Sequence, residues 1–375
     1  MNNRVKRKIL FVIPSLGGGG AERVTICLAN NLDRSQYDIK FVVFEDADAY
    51  SNLDPAIDVI CLHKRNRWDF LKLIYGLRKF IKFYQPDVVI SAIYYTNLIA
   101  LLSSINLRKK SRLLITEHSY PTAALQRTRL EWLKRLLIRV LYNNATKIIA
   151  VSAGIKQSLV KDLKVSSTRI EVIYNPVSLR EIEQKVVSPS NPCLKSEESV
   201  IRIISAGRFV FAKRFDRLLR AFAMVKEKIG NVHLIILGEG ELLEQIKALA
   251  VDLKIGQDVT LPGFQANPYA WFADSDMFVL SSDYEGFPMV ILEAMACGVP
   301  VVSIDCHSGP NEIISDGETG ILVSQDKDCQ GLAKAMIYLL ERPELRETMA
   351  HQARQLIYNY DISRIIKKYE MLFTI

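Results

Sequence analysis

A chain of 375 residues, 49% hydrophobic and 24% charged, is too long for one ordinary core and too apolar to be disordered, so it reads as two globular domains. Its net charge of +8 is uneven: residues 1–180 hold 29 Lys and Arg against 14 Asp and Glu, a net of +15, and the rest 20 against 27, a net of −7. The basic half calls for an anionic membrane surface or a phosphate-bearing acceptor, whereas the acidic second half and the lack of a binding module count against nucleic acid. The first apolar run, KILFVIPSL, leads straight into Gly17–Gly20 and reads as a first strand, not a signal peptide. A helix from Ala21 follows, then strand YDIKFVVFE, a helix over Phe70–Tyr84, strand DVVISAI, a helix from Asn97 and strand RLLITEHS. Next come a helix over residues 127–143 and the strands KIIAVSAGI and RIEVIYNPV. Such alternation predicts a parallel, doubly wound sheet.

Residues 181–200 lose periodicity and gain Ser, Pro and charge, as a linker does. A second set of strands then runs IRIISAGR, HLIILGEGE, DVTLPGF, MFVLSS, VVSI and GILV, with helices between, and residues 351–375 read as a final amphipathic helix. The expected domains are therefore 1–180 and 201–350. Cys27, Cys61, Cys193, Cys297, Cys306 and Cys329 show no CxxC or Cys/His spacing, which predicts reduced thiols and no structural metal. No window reaches the ~18 uncharged apolar residues that a membrane-crossing helix needs.

The most informative stretch is Ser281–Leu322. A strand ends, the chain turns through Asp283–Pro288, and a helix carries Glu293 until Gly298-Val299-Pro300 stops it. A helix starting at once would put Glu285 and Glu293 two turns apart on roughly one face. The loop's backbone N–H groups, from Gly286 onward, would offer a phosphate site at the helix N-terminus.

This pattern, two glutamates separated by seven residues and followed by Ala-Met-Ala-Cys-Gly-Val-Pro-Val-Val, resembles the signature of retaining GT-B glycosyltransferases of family 4. The likeness continues through Ser308–Ile314 and Asp316–Gly320. It implies an α/β fold of two Rossmann-like domains facing across a cleft, the first binding acceptor and the second the nucleotide sugar, with the last helix crossing back to the first. It also implies donor-binding roles for Glu293 at the ribose hydroxyls, and for Glu285 with Gly286, Phe287 and Pro288 at the sugar. Arg208 and Lys213, in GRFVFAKRFD after a strand end, would neutralise the diphosphate in place of a metal; Arg214 is the substitute one position on. Gly238 and Gly240 would line the same cleft, and Pro262, Gly263 and Phe264 would hold the base. Gly18 and Gly19 would approach the donor phosphate; a GxGxxG reading fails there, because its last position falls on Glu22 or Arg23. His118 matches the family's first-domain histidine, a hydrogen-bonding partner of the donor sugar.

Within 127–147, Leu130, Leu133, Leu136, Leu137, Val140 and Leu141 share one helical face, and Arg127, Glu131, Lys134, Arg135 and Arg139 the other. The cations read as contacts to anionic headgroups or to the diphosphate of a lipid-linked acceptor. Asp46/Asp48 and Asp274/Asp276 imitate a metal-binding DxD, but the second pair reads as a helix end, and neither is taken as a metal site. The expected activity is cytoplasmic and peripheral to the membrane: a hexose or N-acetylhexosamine moves from a UDP-sugar to a lipid-linked saccharide in bacterial surface-glycan assembly, without cofactor or metal. The Ser308-Gly309-Pro310-Asn311-Glu312 variant resembles members that use UDP-N-acetylhexosamines, especially N-acetylgalactosamine. A sugar-nucleotide epimerase of the same fold and a non-catalytic glycan- or membrane-binding subunit are the alternatives.

Overall fold

A computed structural model describes residues 6–374 apart from 18, 46–51, 67, 108–110, 127–129 and 188–199. The chain forms two compact units, residues 1–176 with 362–375, and residues 177–361.

Unit 1 runs β1 (Arg7–Ile13), α1 (Gly20–Asn31), β2 (Tyr37–Val43), β3 (Asp58–Cys61), α2 (Phe70–Tyr84), β4 (Val88–Ala92) and α3 (Tyr94–Ser104). It continues with β5 (Arg112–Glu117), α4 (Pro121–Leu125), α5 (Glu131–Leu141), β6 (Lys147–Ala150), α6 (Ala153–Lys161) and β7 (Ile170–Val172). The strands make one parallel sheet in the order β3-β2-β1-β4-β5-β6-β7. Runs such as VVISA of β4 are buried at every position, the pattern of strands covered by helices on both faces. Right-handed crossovers put α2, α3, α5 and α6 on one face and α1 on the other.

The short edge strand β3 escapes sequence reading because DVIC is half exposed and only four residues long. Of the helix expected over 127–143, the structure shows α5, which starts only at Glu131; α4 is a separate helix before that range.

Unit 2 runs α7 (Leu179–Val186), β8 (Ile201–Ala206), α8 (Phe215–Ile229), β9 (Val232–Leu237), α9 (Leu243–Asp252), β10 (Val259–Thr260), α10 (Tyr269–Ala273) and β11 (Met277–Leu280). Then follow α11 (Met289–Ala296), β12 (Val301–Asp305), α12 (Pro310–Ile313), β13 (Ile321–Ser324), α13 (Asp328–Leu340) and α14 (Pro343–Ile357). Its sheet is parallel, in the order β10-β9-β8-β11-β12-β13. Phe209, Phe215 and Phe222 anchor the core.

Two boundaries differ from the sequence reading. The segment read as a linker from 181 begins as helix α7, capped by Ser178 Oγ, which accepts from Glu181 N at 3.3 Å, and the units divide at Pro176. The single last helix expected over 351–375 is interrupted, because Val177 N donates to Tyr360 O at 2.9 Å and Val177 bridges to extended Asp361. The chain resumes as α15 (Ile362–Thr374), which packs against α1. Arg112 Nε and Arg7 Nη1 donate to its last carbonyls, Leu372 O and Phe373 O, both at 2.9 Å. Two cations thus satisfy orphan acceptors at the negative end of the helix dipole, which gives part of the first unit's basic excess a structural role.

Candidate active site

In unit 2 the strand order reverses between β8 and β11, and open α/β sheets bind ligands beyond the carboxyl ends of the strands at such a point. The loop after β8 brings Lys213 there, and the loop after β11 brings Glu285. Lys213 Nζ donates to Glu285 Oε1 at 2.6 Å, and Ser282 Oγ donates to the same oxygen at 2.6 Å. Arg214 points elsewhere, to Asp216 and Asp283, so Lys213 is the cation that meets Glu285. Arg208 stands exposed on the same loop.

A residue the sequence did not single out organises this corner. Arg217, 4% exposed, donates to Ser281 O at 2.7 Å, Asp283 Oδ1 at 2.8 Å and Asp328 Oδ1 at 2.6 Å. It thereby fixes the strand end from which Glu285 projects. Its signal in the sequence was a charge at a core-facing position of α8.

Gly238 and Gly240 have a shared reason. A Cβ on Gly238 would lie 2.0 Å from Gly207 O, and one on Gly240 2.5 Å from Phe209 O, so the loops after β8 and β9 approach more closely than any side chain allows. Gly238 N in turn donates to Gly263 O at 2.9 Å, and Phe264 N donates to Glu239 Oε1 at 3.2 Å. Three separate glycine-bearing segments thus converge on one sheet edge, where Phe264 is 42% exposed and Pro262 O accepts from Gln265 Nε2.

The two acids are not on one helical face. Helix α11 begins at Met289 with Pro288 as its N-cap, because the Gly286-Phe287-Pro288 loop is held down first: Phe287 packs on the Tyr360 ring at 5.6 Å, and Ser308 Oγ donates to Gly286 O at 3.0 Å. Glu285 stays in the loop and Glu293 sits within α11, 2% exposed. Gly286 is itself buried, so the phosphate site expected there narrows to the uncapped start of α11. Gly309, at φ +96 with Pro288 Cδ 2.5 Å from a notional Cβ, lets the Ser308-Gly309-Pro310 turn brace that loop.

In unit 1 the order reverses between β1 and β4. Gly19 caps α1 after β1, while Gly18 lies outside the described residues. Ile93 follows β4 at φ +77, a strained conformation for a β-branched residue. His118 follows β5. Thr116 Oγ1 donates to Ser91 O at 3.1 Å and lies 3.0 Å from His118 Nε2. Nε2 therefore carries the proton, and Nδ1 is an acceptor, buried and with no hydrogen-bond partner among the described residues. Burial pushes this imidazole down to about 4. Beside it, Glu117 is buried with no cation paired to it among the described residues: it accepts from Asn97 Nδ2 at 2.9 Å and from the Tyr142 hydroxyl, and burial pushes its carboxyl up to about 7.

Residues 193–356 match the glycosyl transferases group 1 family and residues 18–181 match glycosyltransferase family 4. The chain is 30% identical, over 96% of its length and 98% of the relative's, to N-acetylgalactosamine-N,N'-diacetylbacillosaminyl-diphospho-undecaprenol 4-alpha-N-acetylgalactosaminyltransferase of Campylobacter jejuni. The chain belongs to the group 1 glycosyltransferases. The lipopolysaccharide 1,6-galactosyltransferase of Escherichia coli is 30% identical over 70% of this glycosyltransferase and 69% of its own length. A crystal structure of a glycosyltransferase from Rickettsia africae superposes with a TM-score of 0.78 at 20% identity, covering 99% of this chain and 98% of that one. The fold is GT-B, with two Rossmann-like parallel-sheet domains.

The basic helix of this glycosyltransferase is turned differently from its sequence pattern. In α5 the buried residue is Ile138, which falls among the cations on the helix, while Leu136 and Val140 of the apolar face are 46% and 58% exposed. The reason is α4: a separate preceding helix and a left-handed Leu130 (φ 60) set the rotation of α5. Arg139 is exposed, Lys134 half-buried, and Arg135 pairs with Glu131 at 2.8 Å; Arg127 lies outside the described residues. Asp274 is the C-cap of α10, and Asp276 accepts from Arg202 N at 2.8 Å, whereas Asp46 and Asp48 lie outside the described residues. Among the described residues no three His, Cys, Asp or Glu side chains gather to hold a metal ion, and no helix is long and apolar enough to cross a membrane.

Proposed function

We propose that this glycosyltransferase moves a hexose or N-acetylhexosamine, foremost N-acetylgalactosamine, from a UDP-sugar to a lipid-linked saccharide in bacterial surface-glycan assembly, with retention and without a metal. It works in the cytoplasm, peripheral to the inner face of the membrane. The observation that carries the reading is the Lys213–Glu285 pair at 2.6 Å across the switch point of unit 2, a cation and a carboxylate where a diphosphate and its sugar would meet. The Campylobacter jejuni relative, whose name gives a diphospho-undecaprenol-linked acceptor, supports the acceptor class.

In this reading Lys213 and Arg208 hold the diphosphate, Glu293 the ribose, Phe264 the base and Glu285 the sugar. The C1–O bond to the diphosphate breaks as the acceptor oxygen bonds to C1 on the same face, and the acceptor's proton passes to the departing diphosphate oxygen. No carboxylate nucleophile is required; the protein positions groups and stabilises charge. His118, neutral and with Nδ1 as acceptor, takes a hydrogen bond from a sugar hydroxyl and does not act as a proton-carrying base.

Thermal shift with UDP, GDP, ADP and their sugars in chelator tests this. The reading expects an upshift with UDP ligands that Glu293→Ala removes, and sugar transfer from UDP-N-acetylgalactosamine only when a lipid-linked saccharide is added. No shift with any nucleotide overturns it, and interconversion of donor without acceptor replaces it by an epimerase.

A further inference from the structure

Helix α2 carries an outer face that the catalytic reading leaves unused. Leu71, Tyr75 and Phe83 are 76%, 71% and 83% exposed, and Lys72, Lys79 and Lys82 are exposed beside them. At 3.6 residues per turn these six positions fall within an arc of about 120°. The opposite arc holds the buried Leu73, Leu77, Ile81 and Tyr84, so the helix is already seated on the sheet and its outer residues have no part in that core. Trp68, 79% exposed just before the helix, extends the face. No Asp or Glu occurs between residues 70 and 84. Arg78, by contrast, turns inward and donates to Ser103 O at 3.2 Å.

We propose that the outer face of α2 is a lipid-contact surface that seats unit 1 on an anionic bilayer, with Leu71, Tyr75 and Phe83 entering the headgroup boundary and the three lysines pairing with lipid phosphates. The composition decides the occupant. Large apolar and aromatic side chains interleaved with lysines suit the interface between headgroup and acyl chain, where the rings have one apolar and one wet side and lysine stems lie along the apolar surface. An anionic surface attracts each of the lysines. A second copy of this face would bring like charges together, on a half-chain of net charge +15. Helix α3 packs against both α2 and α5, and α5 also turns Trp132, Leu136 and Val140 outward, at 66%, 46% and 58% exposure. The same layer of the domain therefore carries a second set of outward apolar residues.

The inference rests on the proposed peripheral association but assigns it to α2 instead of to the cations of α5. Flotation of the full chain with phosphatidylglycerol/phosphatidylcholine vesicles and with pure phosphatidylcholine vesicles tests it. Binding to the anionic vesicles alone is expected, falling at least tenfold in a Leu71→Glu/Phe83→Glu variant that keeps its melting temperature and its UDP-induced shift. A Lys72→Ala/Lys79→Ala/Lys82→Ala variant should bind more weakly and with less sensitivity to salt. Binding that survives both α2 variants and is lost in Arg135→Glu/Arg139→Glu overturns the α2 surface while leaving peripheral association intact. Failure of the unaltered chain to float with any vesicle overturns both, and a concentration-dependent dimer abolished by Leu71→Glu/Phe83→Glu, without lipid binding, assigns the face to a second copy.

Discussion

Replacing Gly238 by alanine should damage both the stability of unit 2 and its affinity for UDP. Two penalties add at this position. The backbone φ of +135 is one that side-chain-bearing residues rarely adopt, at a cost of about 1–2 kcal/mol. The new Cβ would also lie 2.0 Å from Gly207 O, and relieving that overlap means moving a backbone carbonyl, an overpacking cost of about 1–3 kcal/mol. Together they give about 3 kcal/mol, or a fall of about 6–12 °C in the melting of a unit of this size. Gly317→Ala is the control: its φ is +78, but nothing lies within 4 Å of a Cβ there, so only the backbone cost remains, about 1 kcal/mol. Calorimetry with hydrogen exchange to assign the transition measures both, and UDP titration reads the site. Because Gly207 leads directly into Arg208, the Gly238 variant should also lose UDP affinity while the Gly317 variant keeps it. Equal losses of stability in the two variants would refute the close-approach argument.

Lys213→Ala should weaken UDP binding at least tenfold by calorimetric titration, whereas Arg214→Ala, which removes contacts to Asp216 and Asp283, should lower thermal stability and leave UDP affinity within about threefold. Arg7→Ala and Arg112→Ala should each cost about 1 kcal/mol and speed hydrogen exchange in α15. The pH dependence of unit 1 has two opposed parts. Folding raises the Glu117 carboxyl to about 7, so the folded state holds its proton longer than the unfolded state and stability falls as pH rises from about 4.5 to 7. Folding lowers the His118 imidazole to about 4, so the folded state binds fewer protons and stability rises as pH rises from about 4 to 6.5. Melting curves between pH 4.5 and 6.5 should therefore slope upward with pH in Glu117→Gln and downward in His118→Asn; slopes of the same sign would show that these two groups do not govern the profile.

Apolar runs mark twelve of the thirteen strands among the described residues, because parallel strands buried on both faces leave a dense local signal. Only β3, short and half exposed, lacks one. The glycines were legible as residues but not as a cause: nothing near Gly238 in the chain reveals that Gly207, thirty-one positions earlier, occupies the space of its side chain. Glu285 and Glu293 were visible as a pair, yet their relation depends on where α11 starts. Phe287 and Ser308 set that start, through contacts with Tyr360 and Gly286. Arg217 and Glu117 went unnoticed because a charge in a helix or at a strand end looks the same whether solvated or buried; only packing decides which.

The helices show the same division. In α2 the sequence pattern gives the bounds, Phe70–Tyr84, but the buried stripe, and with it the aromatic residues and lysines left outside, is set by the packing. In α5 the same pattern pointed the wrong way, because a short preceding helix and a left-handed Leu130 turn it on its axis. Local hydrogen bonding and side-chain periodicity are short-range, so sequence alone determined the elements, their parallel order of alternation and the family signature. Which side chains meet at the strand ends, and which faces stay bare, is set by contacts between residues far apart in the chain, and the tertiary structure alone decided those.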